Sequence, residues 1–499
     1  MSEAPVAVSR TRAADTAVTA VGGIAVLLGA ALMGVLIARR FGASAETDGF
    51  FVANALYGVF LILAQSLRMT AVPRLIDRGG FRTELRGIAL VFAGSGALFA
   101  VTGLGLAPLV ASGDALHAYQ VALVLLWPAA GLHLFAGLGA AMLATWDDFR
   151  FPALAFAVGA VVNVAAFLVL TPPLGIYGIA AALAVGAAVS AGLIALALRR
   201  EGPRRESSAS LPEPGGARLS AARILLGGVP FVATQIAPLI SVAFAATVGA
   251  GRASVYWYAV MLLVLLNAAL SSPISVVFAP VVARDFTRDQ VAAAALTLRA
   301  FRAASTLAVP AVAALCLLGP QPAQWLLTKL SDAEIDDIFT LLLVLSPALL
   351  AAQLMAIPLL VVLAKGRLVQ LAKWSLVVLA GHSALTATAV ALELGLVGIA
   401  AVGTISAFAL SGTVLVLALR GRAVGVAVEA AKAVGAVVVP AVVAYLVPAV
   451  VVGGGDELVT GAAAWLFGTL LFLVWLRIAR REELDELLAV VRRPRAAEA

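Results

Sequence analysis

A stripe of polar residues along one apolar segment is the clearest sign of binding chemistry in this sequence. Asn54, Gly58, Leu61, Gln65 and Arg68 follow one another at spacings of 4, 3, 4 and 3. Residues three or four apart share one face of a helix. Polar groups in hydrocarbon are costly and tend to face a cavity or a partner. We therefore expect this face to contact the polar part of a substrate, with hydrogen bonding to neighbouring helices as the alternative.

A second apolar segment, about 206 residues further on, carries a matching stripe. Asn267, Ser271 and Ser275 keep the same four-residue spacing, and at this offset they fall on the equivalent helix face. Gln235 is a further polar residue in an apolar segment. Arg252 and Arg68 are candidates for contact with an anionic cargo. The alternative for both is that they orient the protein in the membrane or cap a helix.

The sequence has no pattern that indicates catalysis or a metal site. His133 and His382 lie in apolar segments without a His, Cys or carboxylate at a metal-ligand spacing. Phosphate-binding loops, nucleophile elbows and zinc-protease motifs do not occur either. We predict a carrier, not an enzyme, with neither cofactor nor metal.

The composition requires a membrane environment. Of the 499 residues, 63% are hydrophobic and 12% are charged, and the mean hydropathy is +1.06. A soluble fold could not bury so much apolar surface. Apolar segments of about the length that crosses a bilayer lie at 18–38, 49–66, 87–110, 119–145, 152–170, 175–198, 225–248, 255–281, 303–319, 338–364, 374–391, 395–419, 433–452 and 459–478.

The basic residues predict how these fourteen segments are oriented. Cytoplasmic loops collect Lys and Arg, and with a cytoplasmic N-terminus 30 of the 34 Lys and Arg residues fall on the inner side. Both termini are then cytoplasmic. This distribution explains the net charge of +7 by contact with anionic lipid, so we expect no nucleic-acid partner.

An internal repeat divides the chain. Residues 174–181 read LGIYGIAA, and residues 394–401, at an offset of 220, read LGLVGIAA. Six segments in each copy place both copies in the membrane in the same sense, which is typical of parallel-repeat transporters. The predicted organisation is a cytoplasmic N-terminal segment 1–17, an N-lobe 18–198, a linker 199–223, a C-lobe 224–419, a terminal helix pair 420–478 and a cytoplasmic tail 479–499.

Several motifs resemble one transporter family. LIARRFGASAETDGFFVA at 36–53, AVPRL at 71–75, ASVYWYA at 253–259 and PISVVFAP at 273–280 are similar to the lipid II flippases of bacterial peptidoglycan synthesis. These belong to the multidrug, oligosaccharidyl-lipid and polysaccharide exporter superfamily. Asp48 lies in the first motif, and we include it among the residues expected to contact substrate.

The resemblance implies an all-α polytopic membrane protein with fourteen transmembrane helices, arranged as two pseudo-twofold-related six-helix lobes plus a C-terminal pair that forms a groove for the lipid tail. It also implies alternating access that moves an undecaprenyl-diphosphate-linked precursor, lipid II or a related glycolipid, to the outer leaflet of the bacterial plasma membrane. The expected partners are this glycolipid, membrane lipids and cell-wall synthesis proteins, and we expect a monomer.

The chain departs from the family at its cavity arginines. Leu27, Met33, Leu61 and Met261 stand at the positions where the family carries them, although a cation is well suited to bind a diphosphate. Two alternatives to a flippase therefore remain. The first is a non-transporting partner of envelope synthesis, and the second is a cation-coupled multidrug exporter of the same superfamily.

Overall fold

The computed structural model describes residues 10–75, 99–105, 113–145, 150–206, 236–267, 290–318, 327–451 and 458–479, with single residues at 94, 107, 148 and 324. These residues form α-helices and contain no strand. The helices are α1 Arg10–Phe41, α2 Ala45–Leu75, α3 Asp114–Thr145, α4 Arg150–Leu174, α5 Tyr177–Glu206, α6 Ile236–Val248, α7 Arg252–Asn267, α8 Gln290–Leu318, α9 Asp332–Ala364, α10 Leu368–Ala391, α11 Gly395–Leu419, α12 Ala423–Val451 and α13 Leu458–Ala479.

Reciprocal side-chain caps start two of these helices. Before α2, the Ser44 N–H donates to Thr47 Oγ1 at 2.7 Å, and the Thr47 N–H donates back to Ser44 Oγ at 3.3 Å. Before α9, the Ser331 N–H donates to a Glu334 carboxylate oxygen at 2.7 Å. Such capping boxes satisfy N–H groups that have no partner inside the helix. They fix where both helices begin.

The sequence repeat is also visible in the backbone. Gly175 lies in the turn between α4 and α5 with a φ of +57°, and Gly395, at an offset of 220, begins α11 with a φ of +60°. Residues with a side chain rarely adopt this left-handed conformation, whereas glycine does so at little cost. The two LG motifs therefore make the same sharp turn between equivalent helix pairs.

The described residues group into two compact units. The first consists of 10–33 with 52–206, and the second of 34–51 with 236–479. The end of α1 and the start of α2 thus belong to the second unit. The lobe and linker boundaries expected from the sequence remain a prediction.

The first unit has its core where α3, α4 and α5 meet. Ala140 and Leu143 of α3 pack there with Ala155 of α4 and Ile194 of α5. Small side chains let membrane helices approach closely. The outward face of α4 keeps large apolar residues exposed, namely Leu154, Val158, Val161, Leu168 and Val169. This face is suited to lipid.

The second unit has a separate core and a helix pair packed against it. Its main cluster joins α8, α9, α10 and α11 with the start of α12. Further along, Tyr445 of α12 and Phe472 of α13 pack beside Val309 of α8. The Trp465 indole of α13 donates to the Pro310 carbonyl of α8 at 2.8 Å. The terminal pair α12–α13 is therefore part of this unit.

The described helices include many that could cross a membrane. Seven stretches are long and apolar enough, namely Asp114–Ala140, Arg150–Leu174, Tyr177–Arg200, Gln290–Ala314, Asp332–Val362, Val369–Ala391 and Gly395–Val447. The last one contains both α11 and α12, and α6, α7 and the 462–478 stretch of α13 are shorter apolar helices. The prediction of an all-helical multi-pass membrane protein is confirmed, while fourteen remains the expected number of spans.

Candidate functional site

The start of α2 is bound to α7 through a buried carboxylate. Asp48 is 2% exposed. Its Oδ2 accepts the Gly251 N–H at 2.6 Å, and its Oδ1 accepts the Ser254 N–H at 2.7 Å and the Ser254 hydroxyl at 2.6 Å. These donors belong to the first turn of α7 and the residue before it, where helix N–H groups lack partners and favour negative charge. Asp48 therefore caps a helix distant in sequence.

The environment of Asp48 opposes its ionisation only in part. Burial raises the pKa of the Asp48 carboxyl to about 6, while the hydrogen bonds from Ser254 and Gly251 lower it. The carboxyl is therefore ionised at pH 7, as its three donors require.

Aromatic side chains surround the same contact. The Tyr258 hydroxyl donates to the Gly42 carbonyl at 2.8 Å. Phe51 stacks on Trp257 with ring centroids 5.9 Å apart, and it meets Tyr258 edge to face at 5.2 Å. Such aromatic pairs add to the stability gained by burial alone. The 34–51 segment is thus fixed on α7 by both polar and apolar contacts.

Arg252 lies beside this contact and has an acidic partner. Its guanidinium forms an ion pair with Asp337 in the first turns of α9, and both side chains are nearly half exposed. An exposed pair of this kind contributes little to stability. The charge of Arg252 is therefore balanced within the protein but remains within reach of solvent.

The structure describes only part of the two polar stripes. Asn54 is partly exposed on α2, and the Gln353 amide of α9 donates to Asn267 Oδ1 of α7 at 2.9 Å. The Gln65 and Arg68 side chains, and Gln235 and Ser271 altogether, lie outside the described residues. Asp48 and Arg252 share one end of α7, whereas Asn267 lies at the other, about 22 Å along the axis. The eight residues that the sequence analysis expects to contact substrate, namely Asp48, Asn54, Gln65, Arg68, Gln235, Arg252, Asn267 and Ser271, remain predictions.

An equivalent polar pair joins α2 and α3 of the first unit. Tyr57 of α2 and His133 of α3 share a hydrogen bond of 2.9 Å. His133 is the equivalent of Gln353, 220 residues later, in the repeat. Polar residues at this repeat position therefore serve helix packing in both units.

The positions where the family carries arginines pack as apolar side chains. Met33 is 5% exposed, while Leu27, Leu61 and Met261 are partly exposed. The Met261 thioether lies so close to Gly34 of α1 that a Cβ at that glycine would overlap it. Met261 thus occupies the space between α1 and α7 with an apolar side chain, where an arginine would place a positive charge.

An apolar groove runs between α8, α9 and α12. Its volume is about 450 Å³, and Ser305, Ser346 and Tyr445 are the residues with polar side chains among those that line it. The other lining residues are Ala308, Val309, Val312, Ala313, Pro347, Leu349, Leu350, Val434, Val437, Val438, Ala441, Val442 and Leu446. Apolar walls of this kind suit a hydrocarbon chain better than a sugar.

The sequence did not predict which residues form hydrogen bonds or ion pairs with several of these polar groups. Gly251 and Ser254 bind Asp48, and Asp337 binds Arg252. One signal was available, because Asp48 and Ser254 both stand in motifs that resemble the flippases. The ion pair with Asp337 has no signature in the spacing of residues.

Solved structures of similar fold are transporters. A structure titled lipid II flippase MurJ in an inward closed conformation has a TM-score of 0.72 and 15% identity, covering 94% of this chain and 99% of that one. A transporter of the multidrug and oligosaccharidyl-lipid superfamily from Pyrococcus furiosus has a TM-score of 0.52 and 16% identity, with coverage of 83% and 93%. A multidrug transporter from Vibrio cholerae has a TM-score of 0.53 and 14% identity, with coverage of 82% and 97%. At these identities the likeness shows the fold.

The sequence itself identifies the family. No curated protein matches the chain, but the family model described as lipid II flippase MurJ matches residues 37–475. This range includes the α1–α2 loop, α7, the groove and most of α13. The chain therefore belongs to the lipid II flippase MurJ family of membrane transporters, which serve cell-wall synthesis and are not enzymes.

Proposed function

We propose that the protein moves an undecaprenyl-diphosphate-linked cell-envelope precursor, lipid II or a related glycolipid, from the inner to the outer leaflet by alternating access. The match to the lipid II flippase MurJ family over residues 37–475 carries this proposal. The parallel sequence repeat supports the mechanism, because rocking of two repeat-related lobes can expose a site between them to each side in turn.

The groove of α8, α9 and α12 is the proposed site of the lipid tail. It adjoins the terminal helix pair, since Tyr445 both lines the groove and packs against Phe472 of α13. A polyprenyl chain there would keep its contacts with hydrocarbon while the headgroup crosses. The headgroup would meet the polar stripe residues predicted from the sequence.

The proposed setting is the bacterial inner membrane, with both termini in the cytoplasm. The distribution of Lys and Arg supports this orientation, with 30 of 34 on the inner side. In this orientation the Asp48 contact lies at the outer surface and the start of α12 at the inner surface. The protein acts as a monomer and works beside cell-wall synthesis proteins.

Genetic rescue tests the proposal in cells. The chain should restore growth to bacteria depleted of an authentic lipid II flippase, and Gly58→Trp should abolish the rescue by filling the space beside the α2 stripe. A Cβ at Gly58 has no neighbour within 4 Å, so a side chain can start there without overlapping a described atom. Gly105→Trp, equally open but away from the stripe, should rescue normally.

A second candidate function is that of a non-transporting partner in envelope synthesis. The packing of Met261 against Gly34 supports it, because the space of a cavity arginine is taken by an apolar side chain. A non-transporting protein cannot supply the missing activity, so this function predicts that the unchanged chain fails to restore growth to the depleted cells even at normal membrane levels. Rescue by the unchanged chain that is lost in Gly58→Trp would contradict this second candidate.

A further inference from the structure

A buried histidine connects three helices of the second unit. His382 of α10 is 1% exposed. Its Nδ1 lies 2.9 Å from the Ser406 hydroxyl of α11, and its Nε2 lies 3.1 Å from the Ser241 hydroxyl and 3.0 Å from the Ala237 carbonyl of α6. Neither the substrate contacts nor the groove involves this ring.

The partners of the ring determine its protonation. The Ala237 carbonyl can only accept, so Nε2 carries a hydrogen. Nδ1 then accepts from the Ser406 hydroxyl, and both ring nitrogens of the neutral, buried ring have a partner. The Val402 carbonyl, one turn before Ser406, is a further acceptor directed at the ring. All four partners can accept a hydrogen bond, and none of them is restricted to donating.

This cage can also hold the charged ring after a small change. A proton added to Nδ1 turns that atom into a donor, and the Ser406 hydroxyl rotates from donating to accepting. The Nε2 hydrogen stays hydrogen-bonded to the Ala237 carbonyl. No covalent bond other than the new N–H forms, and the proton comes from water. Burial opposes the charge, so adding the proton would favour a looser packing of α6 against α10 and α11.

Other ionisable groups lie far from the ring or are neutral. Among the described residues, α6 and α11 carry no charged side chain. On α10, Lys373 is about 13 Å from His382 along the axis, and Glu393 lies beyond the end of α10, in the turn before α11. From α7, the Tyr256 phenol hydrogen-bonds Ser241. Among the described residues around the ring, His382 is therefore the group whose protonation would respond to pH.

We propose that His382 is a proton-binding site that couples proton uptake to the movement of α6 against α10 and α11. A ligand that prefers one of two conformations shifts the population towards it. Acidification therefore favours the opened arrangement. The role in transport rests on the proposed flippase activity, whereas binding of the proton does not.

Nuclear magnetic resonance on the full-length protein with isotope-labelled histidine tests proton binding. The chain has three histidines, and spectra of His117→Gln and His133→Gln assign the remaining signal to His382 without altering it. We expect the neutral Nε2–H form at high pH and a doubly protonated ring at low pH, within the range of about pH 5 to 8 where histidine acts as a switch. A ring that stays neutral throughout that range would overturn the proposal.

The pH profile of lipid II inversion in vesicles tests the coupling. The rate should change at least about threefold between pH 5 and 8 in the unchanged protein and in His133→Gln, and should lose this dependence in His382→Gln. A His382→Gln variant that is active and keeps the original profile would disprove the coupling. If the unchanged protein gave no inversion at all, the flippase proposal would fail, and the spectra alone would decide the proton site.

Discussion

Asp48→Ala should destabilise the contact between the start of α2 and α7 by about 2 to 6 kcal/mol. The substitution removes the acceptor of two backbone N–H groups, those of Gly251 and Ser254, and a buried donor without a partner costs about 1–3 kcal/mol. The Ser254 hydroxyl keeps its bond to Thr47 at 2.8 Å. Hydrogen exchange of the Gly251 and Ser254 amides should accelerate strongly, and the unfolding temperature should fall.

Glu46→Ala is the matched control for this prediction. Glu46 lies in the same helical turn but is exposed, and its removal should leave both amides protected. If Asp48→Ala also left the Gly251 and Ser254 amides protected, the carboxylate would not hold the start of α2 against α7. Its role in the family motif would then be something other than capping α7.

Val442→Trp should reduce the affinity for a polyprenyl lipid by at least about tenfold, equivalent to about 1.4 kcal/mol. Val442 lines the groove and is 54% exposed, so the indole occupies the groove without displacing the core. Binding can be measured with a fluorescent decaprenyl phosphate in detergent, and inversion of lipid II should fall in parallel.

Val443→Trp, at the neighbouring residue, is the matched control and should leave the affinity unchanged. Val443 is 57% exposed but is not among the lining residues of the groove. It adds the same apolar surface to the same helix. Equal losses in both variants would mean that bulk on α12, and not occupation of the groove, is responsible.

Much of the fold follows from periodicity and charge. Apolar length predicts membrane helices, and the LG repeat predicts equivalent turns, which Gly175 and Gly395 make with the same left-handed backbone. The assignment of residues 34–51 to the second unit was not foreseeable. It depends on Asp48 finding two N–H groups some 200 residues away, and hydropathy carries no information about such a contact.

The candidate site was less predictable than the fold for a physical reason. A polar residue in a membrane helix needs a partner, but the sequence does not say whether that partner is a substrate or a neighbouring helix. Asn267 bonds to Gln353, and His382 bonds to two hydroxyls and a carbonyl. Hydroxyl and carbonyl partners leave no spacing pattern, unlike the carboxylates and cysteines of a metal site.

The central claim is that this protein moves lipid II across a bilayer. The most direct test places the purified protein in vesicles that contain fluorescent lipid II in both leaflets, followed by a reagent that quenches only the outer leaflet. We expect quenching to proceed beyond the outer-leaflet fraction, and we expect Val442→Trp to slow this second phase while Val443→Trp does not. Quenching that stops at the outer-leaflet fraction, as in protein-free vesicles, would contradict it.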